Sequence, residues 1–418
     1  MSVEIILIFI PLLLILSYVF ELFSKFIKIP SVIFVLLLGF LFKILTINYG
    51  IVLNEKEIFL TAKILGTIGL ILIILEAALE IEINKENLKI LISAFVNAFL
   101  QLVFISLILS FIFYHIDNRE YEYYRYLINA IPLAVISSAI AIPAVVNLDK
   151  KNKDFIVYES SFSDILGILF FNLLAYKNYV RFEIVWEFSF NILLMIILSL
   201  FFTLFLFFLI HYLDYHVKFI PIILSIVIFY ALAKIVNLPS LILILIFGLF
   251  LSNIELLKNI NFKGFELSKF FDFDLMDLET KRFRDIVIEF TFLIRTLFFL
   301  IFGFMLNLDD IVNLQNFLLS LFIISIILII RYFFLRLTKQ QLLPLVLISP
   351  RGLITIILFL SITQNKVELV NISLVVQVIL LSVLIMALGV GFNFNNFNKI
   401  SNEENKNNYV KKGEFFDK

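Results

Sequence analysis

The sequence predicts an all-α polytopic membrane protein of about thirteen transmembrane helices, with inverted-topology repeats and two interrupted helices. Three observations predict it. Hydrophobic residues fill 62% of 418 positions and charged ones 16%, against roughly 45–50% and 25% in soluble domains. The apolar residues fall in runs long enough to cross a bilayer. Two short patterns recur in the same order in the two halves of the chain.

Composition also excludes function classes. The chain has no Cys, which rules out a disulfide framework and thiolate metal sites, and its three His residues (His115, His211, His216) lack ligand spacing. No cofactor is expected. A formal net charge of zero gives no electrostatic argument for a nucleic-acid partner; the expected surroundings are a lipid bilayer. The start MSVEIILIFI has neither the basic region nor the small-residue cleavage site of a signal peptide and reads as the first span.

The spans follow from the rule that about 20 apolar residues cross the hydrocarbon core as a helix. They lie near 4–24, 30–48, 58–80, 88–115, 126–148, 154–178, 186–211, 218–236, 239–253, 285–308, 313–337, 341–364 and 369–391. Lys and Arg concentrate on the side that holds Lys150, Lys151, Lys153, Lys281, Arg282, Arg284, Lys411 and Lys412. Cytoplasmic loops keep the positive charge, so the N-terminus is expected outside and the C-terminus inside an inner (plasma) membrane. The connection 254–284 is the longest, and the tail 396–418 is too polar to pack and reads as disordered and cytoplasmic.

The repeat is visible by comparing the chain with itself. IPSVIFVLLLGFLF from Ile29 matches LPSLILILIFGLFL from Leu238, pairing Pro30 with Pro239 and Gly39 with Gly248. PLAVISSAIAI from Pro132 matches PLVLISPRGLI from Pro344. Each pair lies seven spans apart, an odd number, so the partners run in opposite directions. Inverted repeats characterise secondary transporters, whose substrate site lies at the midplane among interrupted helices. The expected interruptions are at Ser137, Ser138 and Pro143 in one span and at Ser349, Pro350, Arg351 and Gly352 in the other. A proline removes a backbone donor and disturbs the carbonyl four residues back.

Charges inside spans cost at least about 2.5–3.5 kcal/mol each, so each needs a partner or a task. Four stand out: Glu159, Asp164, Arg331 and Arg351. Counting along the spans, Glu159 and Arg331 share a depth and can pair. Asp164 lies about 15 Å in, at the depth of Ser137 and Arg351. Ser160 shares its helix face, while Ser163 is turned about 100° away. One carboxylate among hydroxyls and freed carbonyls is an oxygen-lined site for a small hard cation. Glu21, Glu76, Glu80 and Glu82 are expected near helix ends, reaching water. Arg295, mid-span, has no partner that the sequence identifies.

At these residues the chain resembles the monovalent cation/proton antiporter superfamily, the Na⁺/H⁺ exchangers and their relatives. YESSFSDILG is similar to the family's Glu-Ser-x-x-Asn-Asp stretch, placing Glu159, Ser160 and Asp164 on the motif. SPRGLITIILFL resembles its later Arg-Gly stretch, giving Arg351 and Gly352, and IIRYFF its segment carrying the arginine that pairs with the motif Glu, here Arg331. Two departures stand out. The motif Asn is Ser163, and the Thr-Asp of the broken helix in the exchanger branch is replaced by serines in SSAIAIPAV.

The resemblance implies one antiporter unit over 1–395: a transport domain near 88–178 and 313–391, and a scaffold and dimer domain near 1–82 and 186–308. It implies a homodimer without cofactor that exchanges H⁺ for a monovalent cation, Na⁺ first and K⁺ or Li⁺ next. Asp164 would bind the cation or the proton, with Ser160, Ser163, Ser137 and Ser138 around it; Glu159 and Arg331 would form a structural ion pair, and Arg351 and Gly352 would support the broken helix. Electrogenic relatives carry a second acid just before the exchanging Asp, where this chain has Ser163, so exchange is expected to be electroneutral. The alternative is an inverted-repeat carrier of an organic anion, using Arg351 and helix N-termini. An enzyme is not expected, because no nucleophile and base form a set.

Overall fold

Backbone groups in lipid must satisfy one another, which over a single segment only a helix achieves. The computed structural model obeys this almost throughout. It describes residues 3–27, 31–49, 54–83, 87–117, 121–146, 148–175, 182–212, 219–236, 238–254, 256, 261–262, 265–266, 273–307, 312–362 and 365–391. The tail expected to be disordered, 396–418, and Pro30 of the repeat lie outside them.

In chain order the helices are α1 (Val3–Ile27), α2 (Ser31–Asn48), α3 (Glu55–Glu80), α4 (Leu88–Ile116), α5 (Tyr123–Ala134), α6 (Ser138–Ala144), α7 (Lys150–Ala175), α8 (Phe182–Tyr212), α9 (Phe219–Ile235), α10 (Leu241–Ser252), α11 (Phe273–Met305), α12 (Leu314–Leu337), α13 (Leu353–Ser361) and α14 (Ile372–Gly391). Among the described residues nine segments are long and apolar enough to cross a membrane, one of them being α5 with α6, and three shorter apolar helices accompany them.

Two predicted spans change character. Among the described residues of 341–364 only α13 is helical, and 342–352 run as turns and irregular chain. In 126–148 the break falls at 135–137, so Ser138 opens α6 and Pro143 sits inside that helix instead of breaking it. The connection 254–284 is shorter than expected: Asn261–Phe262 pairs antiparallel with Phe265–Glu266, and α11 has begun by Phe273.

The helices pack in two groups. α2 and α3 flank α11, α1 lies against α2, and α10 packs on α3 and α8, with α9 beside both α8 and α10. In the other group α7 is surrounded by α4, α5 and α6, α12 lies on α4, and α13 touches α5 and α7. Contacts of α3 with α6, α7 and α13 join the groups.

The repeated glycines explain the tightest crossings. A Cβ on Gly39 would lie 2.1 Å from the Leu300 carbonyl oxygen, and one on Gly303 2.2 Å from that of Leu36, so α2 and α11 meet backbone to backbone. A Cβ on Gly248 would lie 2.5 Å from the Ala78 methyl, so α10 and α3 also approach closely, with that methyl between them. Small residues permit such approach where lipid offers no hydrophobic drive. The two crossings are counterparts: α2 corresponds to α10 in the repeat, and the next spans, α3 and α11, are their exchanged partners.

A candidate ion site where two broken helices cross

A helix that stops inside a membrane leaves carbonyls without donors. At the end of α5 these belong to Leu133 and Ala134. Arg351, on the other interrupted segment, supplies the donors: its Nε lies 2.9 Å from the Leu133 oxygen and its Nη2 3.2 Å from that of Ala134. Its Nη1 turns to the Ser349 carbonyl at 2.5 Å. The guanidinium also places positive charge at the negative end of the α5 dipole. Between the breaks, the Ser137 N–H donates to the Pro350 carbonyl at 2.9 Å. Gly352 is needed at this crossing, since a Cβ there would lie 2.7 Å from Ser137 Oγ and 2.5 Å from Ile140 Cδ1.

Beside the crossing runs α7, which carries Asp164, only 2% exposed. The Ser138 N–H, free at the start of α6, donates to Asp164 Oδ2 at 3.1 Å, and the Ser138 hydroxyl donates to the same oxygen. One residue earlier on α7, Ser163 Oγ accepts the Ile136 N–H at 2.9 Å and so holds the break itself. Among the described residues Asp164 Oδ1 and Ser137 Oγ are buried and have no hydrogen-bond partner. Ser160 shares the face of Asp164, but its hydroxyl bonds its own helix, at 2.7 Å from the Ile156 carbonyl.

One turn along α7, Glu159 meets Arg331 of α12. Arg331 Nη2 is 2.8 Å from Glu159 Oε2 and Nη1 3.1 Å from Oε1, a two-pronged pair with neither side chain exposed. Gln101 of α4, which the sequence did not single out, completes it. Its Nε2 donates to Glu159 Oε1 at 2.8 Å, and its Oε1 accepts from Arg331 Nη1 at 3.1 Å. Arg331 Nε donates to the Leu345 carbonyl at 2.7 Å, tying the pair to the second interrupted segment. Each charged atom thus has a partner, as burial of an ion pair requires.

The sequence profile of the transmembrane sodium/hydrogen exchangers matches residues 10–395. The chain belongs to the sodium/hydrogen exchanger family. The family is one of membrane antiporters, so this is a polytopic membrane protein of the cation/proton antiport class, and nothing in the match favours an organic-anion carrier. The fold agrees with solved structures of MjNhaP1, the sodium proton antiporter from Methanocaldococcus jannaschii. One, determined at pH 8, superposes with a TM-score of 0.70 at 20% identity, covering 94% of this chain and 98% of that one. A second, from an electron-microscopy map, gives 0.66 at 18%, with 94% and 97% covered. At such identities the likeness speaks for the fold. No curated protein sequence matches this chain.

Proposed function

We propose that this exchanger trades H⁺ for a monovalent cation, Na⁺ first, at Asp164, by alternating access and one for one. The observation that carries the reading is the state of the Asp164 carboxylate: Oδ2 is fixed by Ser138, while Oδ1, buried beside the crossing of two broken helices, is left to a ligand. A proton and a small cation compete for that oxygen. Ser137 Oγ, also without a partner, is a second oxygen for the cation. Ser138 and Ser163 position, the first by holding Oδ2 and the second by holding the chain at Ile136. Ser160 would join only by rotating its hydroxyl off its own helix. Metal at this site is cargo, bound and released in each cycle.

Arg351 stays out of the exchange. Its guanidinium is fully buried with three of its five N–H donors committed to carbonyls, which also disfavours the organic-anion alternative. Glu159 with Arg331 is a fixed internal salt that holds α7 to α12. The group α4–α7 with α12–α14 would move as the transport domain, against a scaffold of α1–α3 and α8–α11. The assembly is a homodimer in the plasma membrane, N-terminus outside and C-terminus in the cytoplasm, an orientation supported by the distribution of Lys and Arg.

The test is proton flux in everted vesicles on addition of Na⁺, Li⁺ or K⁺. A pH response to Na⁺ that is lost in Asp164→Asn supports the reading. Absence of response to every cation, or exchange that survives Asp164→Asn, overturns it.

A further inference from the structure

Pro143 sits inside α6 and has no N–H, so the carbonyl four residues back, that of Ala139, lacks its helical donor. A polar group freed in this way at the membrane midplane is costly unless it is bonded. The donor comes from across the molecule: Arg295 of α11 places Nη1 3.2 Å from the Ala139 oxygen. Glu76 of α3, expected from the sequence to reach water near a helix end, is instead partly buried within electrostatic reach of Arg295. Arg295 and Glu76 thus belong to the helix group of α2, α3 and α11, while Ala139 belongs to the group that carries Asp164. Ala139 also directly follows Ser138, which holds Asp164 Oδ2.

One turn farther toward the C-terminus of α7, residues of the same two groups line one cavity. Its volume is about 370 Å³, and its lining includes Leu70 and Phe298 of one group and Ile168 and Ile357 of the other. Ile168 is one turn from Asp164, and Phe298 is three residues from Arg295. The helix groups therefore enclose a cavity on one side of the ion site and are bonded to each other beside it. Lys63 of α3 and Asn172 of α7 line the same cavity.

We propose that Arg295 is a latch that grips the broken helix at the carbonyl Pro143 leaves free, and so sets the balance between the arrangement seen here and its opposite. The inference rests on alternating access at Asp164. When the Asp164-bearing group shifts past α11, the Arg295–Ala139 bond must break, and its strength is part of the free-energy difference between the two states. Arg295 is a positioning residue; it does not touch the cation.

The absence of Cys from the chain makes a direct test available. Asn172→Cys is introduced on the cavity wall, and its rate of reaction with a membrane-impermeant thiol reagent is measured in proteoliposomes without turnover. The rate follows the fraction of protein in the cavity-open state. Arg295→Gln removes a charge-assisted hydrogen bond, a shift of about tenfold in the equilibrium, which lowers the rate about fivefold from a balanced starting point. Arg295→Lys, which keeps a cationic donor, should recover part of the rate. Pro143→Ala reaches the same end while leaving Arg295 and Glu76 in place, because it restores the competing N–H to the Ala139 carbonyl; it decides the matter if Arg295→Gln fails to fold. A fall in rate for Arg295→Gln or Pro143→Ala supports the latch. Unchanged rates in every variant that folds overturn it. Labelling requires no exchange, so loss of the latch and loss of the Asp164 assignment are separate results.

Discussion

Ser137 donates its backbone N–H to the carbonyl of Pro350 at 2.9 Å, so the two interrupted segments, 213 positions apart by their numbers, are bonded at their breaks. Neither break can move without the other. Residues on both sides of this bond therefore affect the Asp164 site, and the predictions begin there.

Asp164→Asn should insert and fold but not exchange. The amide keeps the volume and can still accept from the Ser138 N–H, yet it neither releases a proton nor carries charge for a cation. Cation-driven proton flux in proteoliposomes, measured beside a thermal melt of the same preparation, checks both halves of the expectation.

Glu159→Gln and Arg331→Gln should each destabilise the protein by about 3–5 kcal/mol, because removing one partner strands the other charge in a poor solvent. The double substitution should cost less than the sum. Gln101→Leu should cost about 1–3 kcal/mol, since it leaves one lone pair of Glu159 and one N–H of Arg331 unsatisfied. Thermal melts in detergent across the double-mutant cycle provide the measurement, and strict additivity of the first two would contradict the pairing.

Arg351→Lys should impair transport more than a conserved charge suggests. A single ammonium cannot span the Leu133, Ala134 and Ser349 carbonyls that the planar guanidinium reaches together. A loosened end of α5 shifts Ser137 and Ser138, so the expected signature is a raised KM for the cation at near-normal expression. An unchanged KM would mean that the three carbonyls find other donors.

Exchange should be electroneutral. Ser163 has no carboxyl, and Glu159 is tied by both oxygens to Arg331, which leaves Asp164 as the carboxylate of the site with an unpartnered oxygen. An imposed potential of about 100 mV, worth about 2.3 kcal/mol per net charge moved, should therefore leave the coupled equilibrium in place. Liposomes with matched Na⁺ and pH gradients and a valinomycin-clamped potential make the comparison; proton movement driven by voltage alone, above protein-free controls, would reveal a second titrating group.

Much of this site is legible in the sequence because membranes make polar residues conspicuous. Asp164, Glu159, Arg331 and Arg351 are visible as charges in apolar runs, and the Ser-Pro-Arg-Gly string marks one break because no continuous helix tolerates it well. What is missed is relational. Gln101 is uncharged, so hydropathy hardly registers it, and its partners lie 58 and 230 positions away. Ser160 is on the right face of α7, but a serine hydroxyl inside a helix readily turns to the carbonyl one turn back. Pro143 reads as a break because proline removes a bond; that a remote arginine replaces the bond, and lets the helix continue, depends on packing. The same packing gives Arg295 the partner that its own span lacks.

The glycine crossings carry a mechanical consequence. Where α2 and α11 touch through Gly39 and Gly303, no side chains intervene, so there are no alternative rotamers through which the contact could creep. Arg295 lies two turns along the same helix, about 12 Å from Gly303 at 1.5 Å per residue. The arm that reaches Ala139 is thus clamped close to its root. A rod held so near its tip does not bend to follow a load; it holds or lets go. Motion at the ion site should consequently be all-or-none, with a sharp switch between two settings in place of a continuum of half-open forms.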